Sequence, residues 1–324
     1  MTDFLDLEFP EPSVPHMSNG VGSDDLALDL VESWFRSQTK MQERFGKVFR
    51  QSIDEVLDGQ RTSRFDIYAA SVTKTERTYL GTKVEIIFQD EFQLHRGRRM
   101  DYLVAGHEVD AKFSMIALFR QAIPREAMGH ICLIMYASDK KECFSVGLVR
   151  VTPAILNPSD NQDSKKTISF AGRAHVRWLV REGRLPNNQL LHMPEHILQA
   201  IFDRRLSKQE RVNTLFELVQ GEMINRRTLV TVAQQQDGPK RARDARLALC
   251  DQGILILGYR DGHPEIARDL GLPVPKQSEW ISIRVIPRPQ TDRRPAAMIR
   301  GSYYVVARPD EEPCAIQARY GTGE

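Results

Sequence analysis

The stretch Met100-Asp-Tyr-Leu-Val-Ala-Gly-His-Glu-Val-Asp-Ala-Lys-Phe-Ser-Met115 decides the reading of this chain. Two apolar runs flank Gly106-His107, as in a β-hairpin, yet Asp101, Asp110 and Lys112 stand where a buried strand pair favours valine. With Gly106-His107 as a two-residue turn, Asp101 faces Lys112 and Leu103 faces Asp110. Opposed residues share one face of a sheet, and so do residues two apart on a strand. The three charged side chains therefore converge, while Val109, Ala111 and Phe113 point the other way into a core. A two-residue change in the turn keeps that result; a one-residue slip destroys it.

Two carboxylates beside an ammonium make a site for a hard divalent cation. Carboxylate oxygens suit Mg²⁺, which binds through one or two of them, retained waters and a substrate phosphate. Lys112 is placed to hold a water that attacks phosphorus, while the cation neutralises charge developing on the phosphate oxygens. Taken alone, the D-x8-D-x-K spacing favours a plainer account, a cross-strand ion pair of Asp101 with Lys112 and an exposed Asp110.

The chain has 324 residues, enough for two domains, and 41% of them are hydrophobic. No run approaches the ~18 apolar residues of a membrane span. The N-terminus lacks the basic start and apolar run of a signal peptide, so a cytoplasmic location is expected. Cys132, Cys143, Cys250 and Cys314 form no CxxC pair, which argues for reduced thiols and against zinc. The net charge of +2 is uneven: residues 1–25 hold six acids and no Lys or Arg. The rest of the chain is basic, which fits a polyanionic partner.

Residues 1–25 are expected to form a disordered acidic tail. Helical apolar spacing runs from Leu26 to Leu57, and Gly81-Thr82 opens a second helix carrying Glu85. The runs HICLIMYAS and FSVGLVRV are expected core strands, followed by a helix over 171–181. RLPNNQ lies in a linker over 181–189, between a first domain (26–180) and a second (190–324). In the second, Ser207 and Glu210 make a capping box, Thr228 is expected to cap a short helix, and Asp237-Gly238-Pro239 opens another. Gly253 stops that helix before the strand ILILG. Three helices and then a strand is the order of a winged helix. Lys240, Arg241, Arg243 and Arg246 crowd the proposed recognition helix, and Arg226 and Arg227 precede the helix before it. Lys74 and Arg77 flank the helix bearing Glu85, and Arg96, Arg98 and Arg99 sit beside the charged hairpin. His107, in the expected turn, has no second histidine nearby to make a metal site.

With Glu85 included, the pattern Glu85…Asp101…Asp110-x-Lys112 resembles that of the PD-(D/E)xK nucleases. The sequence further resembles the NaeI-type (type IIE) restriction endonucleases. The likeness runs in order through DGQRT (58–62), TKTERTYLGTKVEI (73–86), DYLVAGHEVDAKFSM (101–115), GHICLIMYASD (129–139), LLHMP (190–194), TVAQQQD (231–237), GILILG (253–258) and DLGLPVP (269–275). The resemblance implies a mixed α/β protein: an N-terminal restriction-endonuclease-like domain and a C-terminal winged-helix (CAP-like) domain that holds a second DNA copy. It implies a homodimer that cuts double-stranded DNA with Mg²⁺ at a palindromic, GC-rich site, alongside a cognate DNA methyltransferase. Residue by residue, it implies Asp101 and Asp110 as metal ligands, Lys112 as the water-orienting group and Glu85 as a supporting acid. DNA ligases use Lys-x-Asp-Gly for a covalent adduct; Val56 stands at the lysine position here, so no adduct chemistry is expected. The rival readings are a DNA-binding regulator on an inactive nuclease scaffold, and a repair or mobile-element nuclease with little sequence preference.

Overall fold

The computed structural model describes residues 25–158, 165–317 and 320. The acidic tail expected over residues 1–25 falls, but for Asp25, outside them.

The first half opens with helix α1 (Leu26–Arg36), whose N-cap Asp25 accepts a hydrogen bond from the Leu28 backbone. Helix α2 (Met41–Leu57) follows. The expected continuous run from Leu26 to Leu57 is thus broken at 37–40, where Lys40 adopts a left-handed φ of 52°. A single turn, α3 (Gly59–Thr62), precedes α4 (Lys74–Phe92). Helix α4 begins at a capping box of Thr73 and Glu76, not at Gly81, which sits in its middle. Seven residues of helix were thereby hidden upstream of the glycine.

Six strands follow: β1 (His95–Arg96), β2 (Tyr102–Val104), β3 (His107–Ser114), β4 (Ile131–Ser138), β5 (Cys143–Arg150) and β6 (Arg177–Arg184). They lie side by side in sequence order; every pairing is antiparallel except β3 with β4. The helix expected over 171–181 is instead a 3₁₀ turn, Ala171–His175, and then β6. Strand β5 is buried along most of its length and needs a ladder partner on its far edge, and that tertiary demand overrides local helical spacing. Strand β6 also occupies the first four positions of the expected 181–189 linker. One face of the sheet packs against α1, α2 and α4 around Phe35, Phe45, Phe88 and Phe92. The other face, with Cys132, Ile134 and Val149, is covered by Ile123, Ile155 and Ile168 from the connecting segments.

The second half comprises α5 (Glu195–Ile201), α6 (Lys208–Leu218), β7 (Met223–Asn225), α7 (Arg226–Ala233), α8 (Gly238–Leu249), β8 (Ile254–Leu257), α9 (His263–Asp269), β9 (Glu279–Pro287), β10 (Ala296–Ile299) and β11 (Ser302–Val306). Ser207 and Glu210 do form a capping box on α6, and Asp237 caps α8. Helix α7 is capped by Asn225, with Thr228 one turn inside; Asn225 is the residue whose side-chain oxygen reaches the N3 amide. Strand β9 pairs with both β7 and β8, and its far end carries the β10–β11 hairpin.

A buried polar group joins the halves. Arg50 on α2 donates to Asp139 after β4 (2.5 Å) and pairs with Asp54 (2.7 Å). Arg227 of α7 reaches the other oxygen of Asp54 at 2.7 Å. Asn188 donates to Asp139 (3.0 Å) and to the Phe65 carbonyl (2.7 Å).

Candidate active site

The β2–β3 ladder pairs Tyr102 with Val109, Leu103 with Glu108 and Val104 with His107. The turn is therefore Ala105-Gly106, with φ of 49° and 81°, as a type I′ hairpin requires. His107 begins β3 instead of sitting in the turn. The pairings expected from the sequence, Asp101 with Lys112 and Leu103 with Asp110, are each displaced by two residues, so that the ladder points Asp101 toward Asp110. A displacement of two preserves the face, and the three charged groups still converge.

Asp101 lies just before β2, and its Oδ2 accepts a hydrogen bond from the backbone N–H of Ala111 at 2.8 Å. Lys112 Nζ donates to Asp110 Oδ1 (2.8 Å) and to the Ala111 carbonyl (2.9 Å), and stands 3.8 Å from Asp101 Oδ2. Asp110 is buried and the other two half-buried. On the opposite side of β3, Val109 and Ala111 are in the helix-packed core and Phe113 packs against it.

Glu85 comes from α4, whose Val84 and Phe88 are buried in that core. The Tyr102 hydroxyl donates to the Glu85 carbonyl at 2.9 Å and ties the helix to the strand. Burial, and then the negative charges of Asp101 and Asp110, push the Glu85 carboxyl up to about 7 against the pull of Lys112. Burial also raises Asp110, with Lys112 opposing it. For Lys112 burial acts downward, but Asp110 and Asp101 more than reverse it, so the ammonium is held charged. Cys132 on β4 is buried, with Sγ 3.9 Å from Asp110 Oδ2. Burial and the neighbouring acid raise its pKa, so it is a neutral thiol behind the cluster.

Among the described residues, no group of three or more His, Cys, Asp or Glu is gathered as a ready-made metal cage. The donor set nonetheless suits a hard divalent cation. It offers two carboxylates with a third acid nearby, Glu85, driven toward neutrality by burial and then by the charges of Asp101 and Asp110, and leaves the remaining positions for water and phosphate oxygen.

The family model described as restriction endonuclease NaeI matches residues 29–314 of this chain. The type II restriction enzyme NaeI of Lentzea aerocolonigenes is 40% identical over 316 residues, covering 95% of either chain. This chain belongs to the NaeI restriction endonuclease family. As a NaeI-type enzyme it is a type II site-specific deoxyribonuclease acting on double-stranded DNA, a class that works with divalent metal ions. No helix among the described residues is long and apolar enough to cross a membrane.

The basic residues singled out in the NaeI-type sequence fare unequally. Lys240 and Arg243 are exposed on α8, and Arg226 is exposed with its guanidinium on the Gln236 carbonyl (3.1 Å). Arg241 is half-buried and bonded to Gln235 (2.6 Å) and Gln209 (3.2 Å). Arg246 is a correction: it is 7% exposed, donates to the Ile256 carbonyl at 2.8 Å and lies 3.2 Å from His263 Nδ1. It faces the core because it shares the inward stripe of α8 with Ala242, Ala245 and Leu249. Arg227 is engaged with Asp54 between the halves. Lys74 and Arg77 lie on the first turn of α4, exposed and half-buried, and Arg96, Arg98 and Arg99 are exposed beside Asp101. The polar group around Asp54 and Asp139 escaped the sequence reading; its one legible trace was the i,i+4 spacing of Arg50 and Asp54.

Proposed function

We propose that this enzyme is a homodimer that hydrolyses both strands of a short palindromic, GC-rich DNA site with Mg²⁺, stimulated by a second copy of that site. The observation that carries the reading is the convergence of Asp101, Asp110 and Lys112 on one face of the β2–β3 hairpin, with Glu85 near enough to feel their charges. Asp101 and Asp110 are the metal ligands, and Glu85 supports them from α4. When bound, Mg²⁺ supplies the positive charge that offsets the negative charge growing on the phosphate oxygens.

Lys112 spends two N–H groups on Asp110 and the Ala111 carbonyl, which fixes its direction. Its third orients the attacking water. The water oxygen forms a bond to phosphorus and gives up a proton to solvent, the bond from phosphorus to the 3′ oxygen breaks, and that oxygen takes up a proton from solvent. The products carry 5′-phosphate and 3′-hydroxyl ends. Dimer symmetry matches site symmetry and gives each strand one such centre.

The winged-helix reading of the second half is supported by its order, α6–β7–α7–α8–β8–β9, in which both β7 and β8 pair with β9. Lys240, Arg241 and Arg243 on α8, with Arg226, are its DNA contacts, and Lys74 and Arg77 serve the nuclease half. We put the boundary at 185–188, after β6. The enzyme works in the bacterial cytoplasm beside a DNA methyltransferase that protects the same site.

Incubating the purified protein with plasmids in Mg²⁺ and sequencing the ends of the fragments tests the reading. Discrete fragments with one common terminal sequence are expected. A smear, or intact plasmid across a range of salt, overturns it.

A further inference from the structure

The turn that delivers Asp101 is held by an acid outside the catalytic cluster. Glu108 sits on β3 opposite Leu103. Its Oε1 accepts from the backbone N–H of Arg98 (2.7 Å), and its Oε2 accepts from those of Arg99 (3.0 Å) and Met100 (2.7 Å). Three consecutive amides thus converge on one carboxylate. The Gly97 N–H closes the same turn onto the Asp101 carbonyl at 3.4 Å.

Gly97 leaves no room for any side chain. A Cβ there would lie 2.5 Å from the Met100 carbonyl oxygen and 2.8 Å from Glu108 Oε2, and the first of these is backbone that cannot swing aside. With its amides turned inward, the turn carries the side chains of Arg98 and Arg99 outward, exposed, and Arg96 is exposed on β1 beside them. The next residue but one is Asp101, whose own carboxylate is anchored to Ala111. A cationic edge is therefore built rigidly against the carboxylates that face the scissile phosphate.

We propose that Glu108 is a positioning residue: by clasping the 97–100 turn it sets Asp101 and holds Arg98 and Arg99 as a clamp on the DNA backbone flanking the cleaved bond. The inference rests on the cleavage-site assignment above. Phosphates are the groups such a clamp takes, because arginine pairs with their oxygens in a forked geometry and needs no base identity to do so.

The charge change makes the test decisive. Glu108→Gln removes a negative charge from a surface facing DNA, so simple electrostatics predicts tighter duplex binding. The clasp predicts the reverse. A glutamine amide cannot accept at both ends, so in either orientation at least one amide bond is lost and the turn opens.

Duplex affinity is measured without divalent cation across a salt series, and single-turnover cutting with Mg²⁺, for the parent, E108Q, G97A and the R98A/R99A pair. The pair should bind roughly ten-fold more weakly, with the slope of log affinity against log salt shallower by about two. E108Q and G97A should move binding and slope the same way while retaining every cation of the surface, and should also slow cutting. Thermal melts of all variants show whether folding is retained; R98A/R99A, which touches no buried group, keeps the clamp testable if G97A fails to fold. Tighter or unchanged binding by E108Q, or an unchanged slope in R98A/R99A, overturns the proposal. Failure of the parent itself to cut would instead remove the cleavage-site assignment, leaving the binding series to decide whether the clamp exists.

Discussion

The carboxylate of Asp101 stands in for a strand: its Oδ2 takes the Ala111 N–H at 2.8 Å just where the backbone ladder of β2 with β3 ends. One oxygen of Asp101 thus has a structural duty, and the proposed metal-ligand role falls to the other. Asp101→Asn keeps an acceptor for Ala111 but loses the charge. The variant should melt within about 3 °C of the parent, roughly 1 kcal/mol, yet cut at least about 10²-fold more slowly. Asp101→Ala should lose both. Paired melting curves and single-turnover assays check this, and an active Asp101→Asn would refute the ligand role.

Lys112 offsets the charge of Asp110, which is buried. Replacing it by methionine strands that acid, at a cost of roughly 3 kcal/mol, and abolishes cutting. The freed carboxylates should then bind divalent cations more tightly. The upward shift in melting temperature on adding Mg²⁺ should be larger for Lys112→Met than for the parent. An equal or smaller shift would mean that the cation is not held by these acids.

Two arginines three residues apart on α8 should behave in opposite ways. Arg243 is exposed, so Arg243→Ala should leave the melting temperature alone and reduce the salt slope of DNA binding by about one. Arg246 is buried against Ile256 and His263, so Arg246→Ala should destabilise the fold by about 2 kcal/mol or more. Its loss of binding should follow the fraction unfolded. Denaturant titrations read beside binding isotherms separate the two.

His263 gives a pH dependence. Burial, reinforced by Arg246, pushes its pKa down to about 3. In the unfolded chain it takes up a proton near pH 6.5, and in the folded chain it does not until about 3. The unfolded state therefore binds more protons in that window. The stability is intact above about 6.5 and falls with decreasing pH by about 1.4 kcal/mol per unit below it. His263→Asn keeps an acceptor for the Gly258 N–H and removes the titration. The stability gap between parent and variant should move in the variant's favour between pH 7 and pH 5.

The charged hairpin was legible because side-chain direction along a strand has a period of two, which survived an error in the turn. The turn itself was misplaced because Ala105, not His107, takes the left-handed conformation beside Gly106, and alanine gives no local signal for it. Strand β6 was unreadable for a different reason: Arg177–Arg184 is a strand because β5 lacks a partner there, a fact that resides elsewhere in the chain. Arg246 was misassigned because charge was read without the inward stripe of Ala242, Ala245 and Leu249 that fixes which side of α8 is covered. Glu108 gave no sign at all, since three backbone amides leave no mark in a sequence.

Apolar contact between the two halves would tolerate some sliding, because the hydrophobic effect has no direction. The set formed by Arg50, Asp54, Asp139 and Arg227 does not: each guanidinium must meet a particular carboxylate oxygen. Two cations and two anions also balance, so the group tolerates removal from water only as a complete set. Only the Arg227–Asp54 pair of this set crosses between the halves, so a tilt of one half against the other would part that guanidinium from its carboxylate and leave Asp54 to Arg50 alone.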